Sequence, residues 1–183
     1  MSSYTAPLKD MQFVLTELAG IDKVAALPGY EEAAADVVEA ILDESAKFTS
    51  GVLAPLNATG DQEGVRWADK AVTMPKGFKE AYAQFVDNGW NALGGNPEHG
   101  GQGLPKVVSA AVQEMWKSSN MSFSLCPLLT LGAIEALELF GSDAQKAMYL
   151  PNMVSGKWTG TMNITEPQAG SDLAAIRSRA VPQ

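Results

Sequence analysis

A chain of 183 residues with 46% apolar and 19% charged residues is long enough for one full core, or for one domain and the start of another. Its net charge of −8, from 13 basic against 21 acidic residues, leaves no Lys/Arg cluster to neutralise phosphates and argues against a nucleic-acid-binding face. With Cys126 the sole cysteine and His99 the sole histidine, an intrachain disulfide, a thiolate zinc site and a His-rich metal site are all excluded. The start, Met1-Ser2-Ser3-Tyr4, lacks the basic region and apolar run of a signal peptide. Phe123 to Ile134, the longest apolar-rich stretch, reads as too short and too interrupted to span a bilayer, so the expected location is the cytoplasm.

In chain order, Thr5 is placed to cap a first helix whose face carries Leu8, Met11, Leu15 and Leu18, with Val14 beside them and Gly20 ending it. A connector with Pro28-Gly29 follows. A second helix from about Glu31 is predicted to bury Ala34, Val37, Val38, Ile41 and Phe48 and to stop near Gly51. Residues 54–77 hold Pro55, Gly60, Gly64, Pro75 and Gly77 and read as irregular, with Trp67 pinned to the body as a buried aromatic. Phe78, Tyr82, Phe85 and Val86 share one face of a third helix. A Gly-rich loop runs from Gly94 to Gly103, and Leu104-Pro105 open a fourth helix with Val107, Val108, Ala111, Val112, Met115 and Trp116 inward. The fifth segment, Phe123 to Phe140, is apolar nearly all round in its first half, as a helix at the centre of a bundle is. Ser142-Asp143-Ala144-Gln145 is a capping box that opens a short sixth helix, which Pro151 closes.

At Lys157 the apolar period changes from helical to alternating. Trp158, Gly160, Met162 and Ile164 alternate with Thr159, Thr161, Asn163 and Thr165, which predicts a Thr-rich strand. Glu166-Pro167-Gln168-Ala169-Gly170-Ser171-Asp172 is then a turn or loop. A lone strand cannot pair its backbone, so Thr159 to Thr165 is expected to be extended and unpaired, its partner strands lying in sequence beyond this fragment.

Two segments invite nucleotide readings. Gly95 and Gly100 have P-loop spacing, but Gly101 stands where the lysine belongs; Gly101-Gln102-Gly103 begins a dinucleotide pattern, but Lys106 replaces its third glycine. Neither follows a predicted strand, so the loop reads as a tight interhelix connection needing positive φ at Gly100 or Gly101, with His99 a solvated loop residue. The second segment, a Thr-rich strand running into Pro, Gly, Ser and Asp, gathers hydroxyls and free amides that can serve the polar edge of a flat heterocycle and its phosphates. Taken alone it is a weak signal, since turn residues after a strand are more often just a turn.

Met162-Asn163-Ile164-Thr165-Glu166-Pro167-Gln168-Ala169-Gly170-Ser171-Asp172-Leu173 resembles the acyl-CoA dehydrogenase signature, in which Thr-Glu-Pro and Gly-Ser-Asp follow a strand. His99-Gly100-Gly101-Gln102-Gly103-Leu104-Pro105 resembles that family's Gly-Gly-x-Gly loop, and Phe140-Gly141-Ser142 through Ser155-Gly156 its approach to the flavin strand. The stretch from Tyr4 to Leu15 resembles an N-terminal extension of a larger bacterial subgroup. The implied fold is mainly α: residues 1–33 an extension, 34–157 the N-terminal helical bundle, and 158–183 the start of the middle β domain, cut off at its first strand.

The resemblance implies an FAD-dependent enzyme that dehydrogenates acyl-CoA thioesters at the α,β bond, passing electrons to an electron-transfer flavoprotein and working as a homodimer or homotetramer. It places Met162, Ile164 and Thr165 against the flavin, with Thr165 at its polar edge, and Ser171 at the flavin or the CoA phosphates. Asn163 belongs to the same cofactor-binding strand but departs from the small or sulfur-bearing residue common there, with its side chain expected to point away from the ring. Leu125, Leu128 and Leu129 are candidates for the acyl-chain wall, or equally plain bundle core. The family's catalytic base is a glutamate of the C-terminal helical domain. Glu166 is not that base, and the chain by itself is expected to be inactive. Two other readings stand beside this one: an acyl-CoA oxidase that gives its electrons to oxygen, and a helical interaction module without a flavin.

Overall fold

The computed structural model describes residues 4–181, which form eight α-helices and a single two-stranded hairpin. The first helix, α1 (Leu8–Phe13), starts after Pro7 with no side-chain cap, so Thr5 does not play the role expected of it. One of the two amides a Thr5 cap would serve belongs to Pro7, which has none. The helix then widens into a π turn (Val14–Leu18) that rotates later positions off the core face. Met11 and Leu15 stay buried while Val14 and Leu18 are exposed. Gly20 ends it, and the short α2 (Ile21–Ala25) seats Ile21 in the core.

In α3 (Ala35–Phe48) the buried stripe is Val38, Leu42, Ser45 and Phe48, with Ile41 half-buried; Ala34 and Val37, expected inside, are exposed. Ala34 only flanks the helix as its N-cap, and Val37 sits beside the stripe. Gly51 does not stop this rod. Thr49–Leu53 form a second π turn, and α4 (Ala54–Glu63) continues from it through residues expected to be irregular. Pro55 lies in the first turn of α4, where a missing N–H costs least. Thr49 and Ser50 hydroxyls donate to the carbonyls of Ser45 and Ala46 across the junction.

The hairpin follows. Strands β1 (Arg66–Ala68) and β2 (Ala71–Thr73) pair antiparallel with Trp67 opposite Val72. In the turn, Asp69 and Lys70 have φ of 51° and 62°, the backbone of a type I′ turn. Trp67, expected buried, is 72% exposed. It shares one face with Val65, Val72 and Met74, all exposed, since alternate residues of paired strands point to the same side and no described element covers that side of the hairpin.

From here the helical periodicities hold. In α5 (Phe78–Asp87), Phe78, Ala81 and Phe85 are buried and Tyr82 and Val86 half-buried; in α6 (Lys106–Ser119), Val108, Val112, Met115 and Trp116 are buried. The Gly-rich loop between them folds back on itself. Gln102, Gly103 and Leu104 N–H donate to the carbonyls of Ala92, Gly95 and Leu93. Gly100 has φ +88, as expected, and a Cβ on Gly101 would fall 2.0 Å from the Gly95 carbonyl. His99 is half-buried in this connection rather than fully solvated.

Next comes α7 (Met121–Phe140), capped by Asn120, whose Oδ1 accepts from Phe123 N–H. At the centre of the bundle, fully buried Phe85 meets Trp116 edge-on at 4.9 Å and Phe123 at 5.7 Å, joining α5, α6 and α7. The helix is not enclosed on every side, contrary to its apolar pattern: Leu125, Leu139 and Phe140 are exposed. Running on through Glu135 and Glu138, it is long and apolar enough by length and composition to cross a membrane, which the shorter stretch Phe123 to Ile134 did not indicate. Here it packs between α6 and α8 (Asp143–Val154). The capping box of Ser142 and Gln145 is present in both directions. Pro151 does not close α8, which runs on to Val154; Asn152 Nδ2 donates to Met148 O in the disturbed turn.

Candidate functional site

The end of α8 is held by two side chains from the bundle. Tyr82 OH donates to Gly156 O at 2.9 Å, and Asn91 Nδ2, on a buried side chain, donates to Met153 O at 2.7 Å. Burial pushes the Tyr82 phenol up, so it stays a neutral donor. Trp158 N–H donates to Asn152 O at 2.9 Å, and the Trp158 ring rests 6.1 Å from that of Tyr149. The chain then crosses α7, where Gly160 N–H donates to Thr130 Oγ1 at 3.1 Å. A Cβ on Gly160 would lie 2.5 Å from Ala133 Cβ, so the close crossing requires glycine.

From Thr161 to Thr165 the backbone makes no hydrogen bond among the described residues, and every side chain is exposed. The expected lack of pairing is observed; burial does not distinguish the two faces expected of a strand. Met162 and Ile164 are 64% and 42% exposed, and Asn163 Nδ2 donates to Thr161 Oγ1. At the far end, Glu166 and Ala169 exchange two backbone hydrogen bonds of 3.0 Å around Pro167-Gln168. Ser171 is exposed, and Asp172 Oδ1 accepts from Ala174 N–H.

The Glu166 carboxylate gathers donors from Ser178, Arg177 and Gln168, including the amides of Arg177 at 3.0 Å and Ser178 at 2.8 Å. The Ser178 side chain leads these in holding its carboxyl down at about 2. A carboxylate so committed is a weak proton acceptor and closes the loop from 166 to 178.

The three candidate wall residues separate on α7. Leu125 and Leu129, four apart, share a row with Ala133, and that row runs up to Gly160. Leu128 lies on the neighbouring row and lines a cavity of about 970 Å³ between α6 and α7, together with Trp90, Leu93, Trp116, Leu131 and Ile134. Lys106 and Glu135 also line it and form an ion pair. Thr130, two residues from Leu128 and so roughly 200° around the helix, faces the segment instead. Asn91 and Thr130 were not found by sequence reasoning. Asn91 gives no signal, whereas Thr130 is a hydroxyl set in the apolar middle of α7, beyond Ser122 and Ser124 of its first turn, and it is 1% exposed.

With this geometry, the sequence model of the acyl-CoA dehydrogenase N-terminal domain matches residues 36–157. The chain belongs to the acyl-CoA dehydrogenase family. It is 52% identical over 181 residues to a 3-methylmercaptopropionyl-CoA dehydrogenase of Ruegeria pomeroyi, covering 99% of this chain and 31% of that protein. A butyryl-CoA dehydrogenase of Syntrophomonas wolfei is 30% identical, with 98% of this chain and 30% of that protein covered. The chain therefore spans about a third of the length of these curated relatives. The solved structure of an acyl-CoA dehydrogenase complexed with FAD from Bacillus anthracis shares the fold, with a TM-score of 0.62 at 23% identity over 77% of this chain and 22% of that one. Within this acyl-CoA dehydrogenase family, the helical architecture and the hairpin described above are the N-terminal helical part of the fold.

Proposed function

We propose that the protein containing this chain is an FAD-dependent acyl-CoA dehydrogenase that converts saturated acyl-CoA thioesters to enoyl-CoA. The observation that carries this is the segment Thr161 to Thr165, fixed at both ends yet without a backbone partner of its own, beside exposed Met162 and Ile164. Free amides and carbonyls next to flat apolar contacts fit the polar edge and the ring of a flavin. When bound, FAD supplies a two-electron acceptor for the hydride leaving the β-carbon. Met162, Asn163, Ile164 and Thr165 serve as its contact segment, with the Thr165 hydroxyl at the polar edge and Ser171 toward phosphate groups. The row Leu125–Leu129 directs an acyl chain along α7 toward Gly160, with Leu128 on the cavity side. Residues 1–33 act as an extension, 34–157 as the helical domain and 158–183 as the start of a β domain. The base that takes the α-proton comes from outside these residues, and Glu166 is kept from the part by its ionised, fully engaged carboxylate.

The partners proposed are an acyl-CoA substrate, an electron-transfer flavoprotein and further copies of the same protein, in the cytoplasm. The protein containing this chain, purified with bound flavin, should bleach its visible band on addition of 3-methylmercaptopropionyl-CoA or butyryl-CoA and turn over with an artificial electron acceptor. The 183-residue chain alone should not turn over. A preparation with no flavin and no response to FAD refutes the reading. Turnover that yields peroxide at the same rate as enoyl-CoA replaces the dehydrogenase with an oxidase.

A further inference from the structure

Thr161 to Thr165 hangs between two fixed points. On the far side is the reciprocal Glu166–Ala169 pair; on the near side the last bonded backbone group is the Gly160 N–H. Five residues fully extended reach about 17 Å at most, so moving either end displaces the whole segment. The near anchor is a single side chain. Thr130 Oγ1 accepts from Gly160 N–H at 3.1 Å and donates to Cys126 O, one turn back in α7, at 2.9 Å, so the hydroxyl is satisfied in both directions. Two contacts fix the crossing laterally: Ala133 Cβ and Met153 Cε lie 2.5 and 3.1 Å from where a Gly160 Cβ would sit. Upstream, Tyr82 and Asn91 already hold the end of α8. Among the described residues, Thr130 thus supplies the polar contact that ties the start of the segment, at Gly160, to the helix that carries Leu125 and Leu129.

We infer that Thr130 is a positioning residue: its hydroxyl sets where the Thr161–Thr165 segment lies along α7, and so fixes the distance between the flavin contacts and the acyl wall. This rests on the function proposed above, and the assignment of Thr130 touches neither flavin nor substrate.

The test has two arms. In the 183-residue chain, amide exchange by NMR should show Gly160 protected and Met162 to Thr165 exchanging freely, a comparison that needs no substitution. Thr130→Val keeps the shape and removes the acceptor; Gly160 exchange should rise about tenfold, as expected for one lost hydrogen bond, while α6 amides stay unchanged, and Thr130→Ser should restore it. In the flavin-loaded protein, Thr130→Val should shift the visible flavin spectrum and lower kcat more than it raises KM, again with recovery in Thr130→Ser. Equal exchange across 160–165, or no change in Thr130→Val, overturns the anchor. A freed Gly160 with an unaltered flavin spectrum and kcat overturns the positioning role. Failure of the parent protein to bind FAD strikes the proposed function instead, and leaves the exchange result standing.

Discussion

Gly101→Ala is the sharpest perturbation this fold offers. The added Cβ would sit 2.0 Å from the carbonyl carbon and oxygen of Gly95 and 2.5 Å from its Cα, all backbone atoms that no rotamer can move aside. Restoring an ordinary contact of 3.4 Å requires the two sides of the loop to part by 1.4 Å, the difference between 3.4 and 2.0. That separation breaks the bonds from Gln102 N–H to Ala92 O at 2.8 Å and from Gly103 N–H to Gly95 O at 3.0 Å. Two such bonds are worth about 1 kcal/mol each, and the residual strain of overpacking about 1–3 kcal/mol, so the variant should lose about 3–5 kcal/mol. Urea unfolding followed by far-UV circular dichroism reads this as a midpoint lowered by about 2 M. Two further glycines calibrate the series. Gly100 has open space but φ +88, so Gly100→Ala should cost about 1–2 kcal/mol from backbone conformation alone. Gly51 has neither a positive φ nor a neighbour within 4 Å, and it lies inside a helical rod, so Gly51→Ala should stabilise by about 0.5–1 kcal/mol. If Gly101→Ala unfolds at or above the midpoint of Gly100→Ala, the close approach of the loop is not what limits this position.

Phe85→Ala removes a fully buried ring seated against Trp116 and Phe123, and should cost about 3–5 kcal/mol with collapse of the near-UV signal; a loss below about 1 kcal/mol contradicts the central packing. Glu166 has a folded pKa lowered from 4.5 to about 2, so its contribution to loop closure is present above pH 4.5 and disappears as pH falls through about 2. The Arg177 and Ser178 amide resonances should titrate together near that lower value, and a midpoint close to 4.5 would show the loop bonds to be absent. Thr165→Val in the flavin-loaded protein should weaken FAD retention and slow flavin reduction by about 1–3 kcal/mol, while leaving the stability of this chain within about 0.5 kcal/mol because Thr165 is exposed here. Wild-type reduction by that variant removes Thr165 from the site.

Periodicity alone located α5 and α6, because their apolar positions recur without interruption on one face. It failed where punctuation residues sit inside continuous structure. Gly51 and Pro55 looked like the end of a helix, yet Gly51 lies inside a π turn, Pro55 falls in the first turn of α4, and the rod continues. Pro151 misled in the same way. The hairpin was hidden because its turn is Asp69-Lys70, with no glycine to advertise two positive φ angles. At the site, the motif from Met162 to Asp172 was legible as a run of residue types. What the linear order could not show is which helix receives it, since the Thr130–Gly160 contact spans thirty positions and follows from how α8 returns across α7.

The outward face of the hairpin has a consequence for the behaviour of this chain in solution. Val65, Trp67, Val72 and Met74 form a flat, sticky plate, and the two short strands keep unpaired outer edges. What holds copies apart is the like charge of −8 per chain, and that repulsion has a range set by dissolved salt. Colloidal behaviour should therefore run opposite to that of a protein bound by ion pairs. Dilute buffer keeps the chain dispersed, and raising ionic strength brings on association that begins at the plate and quenches or shifts Trp67 emission before any helix unfolds.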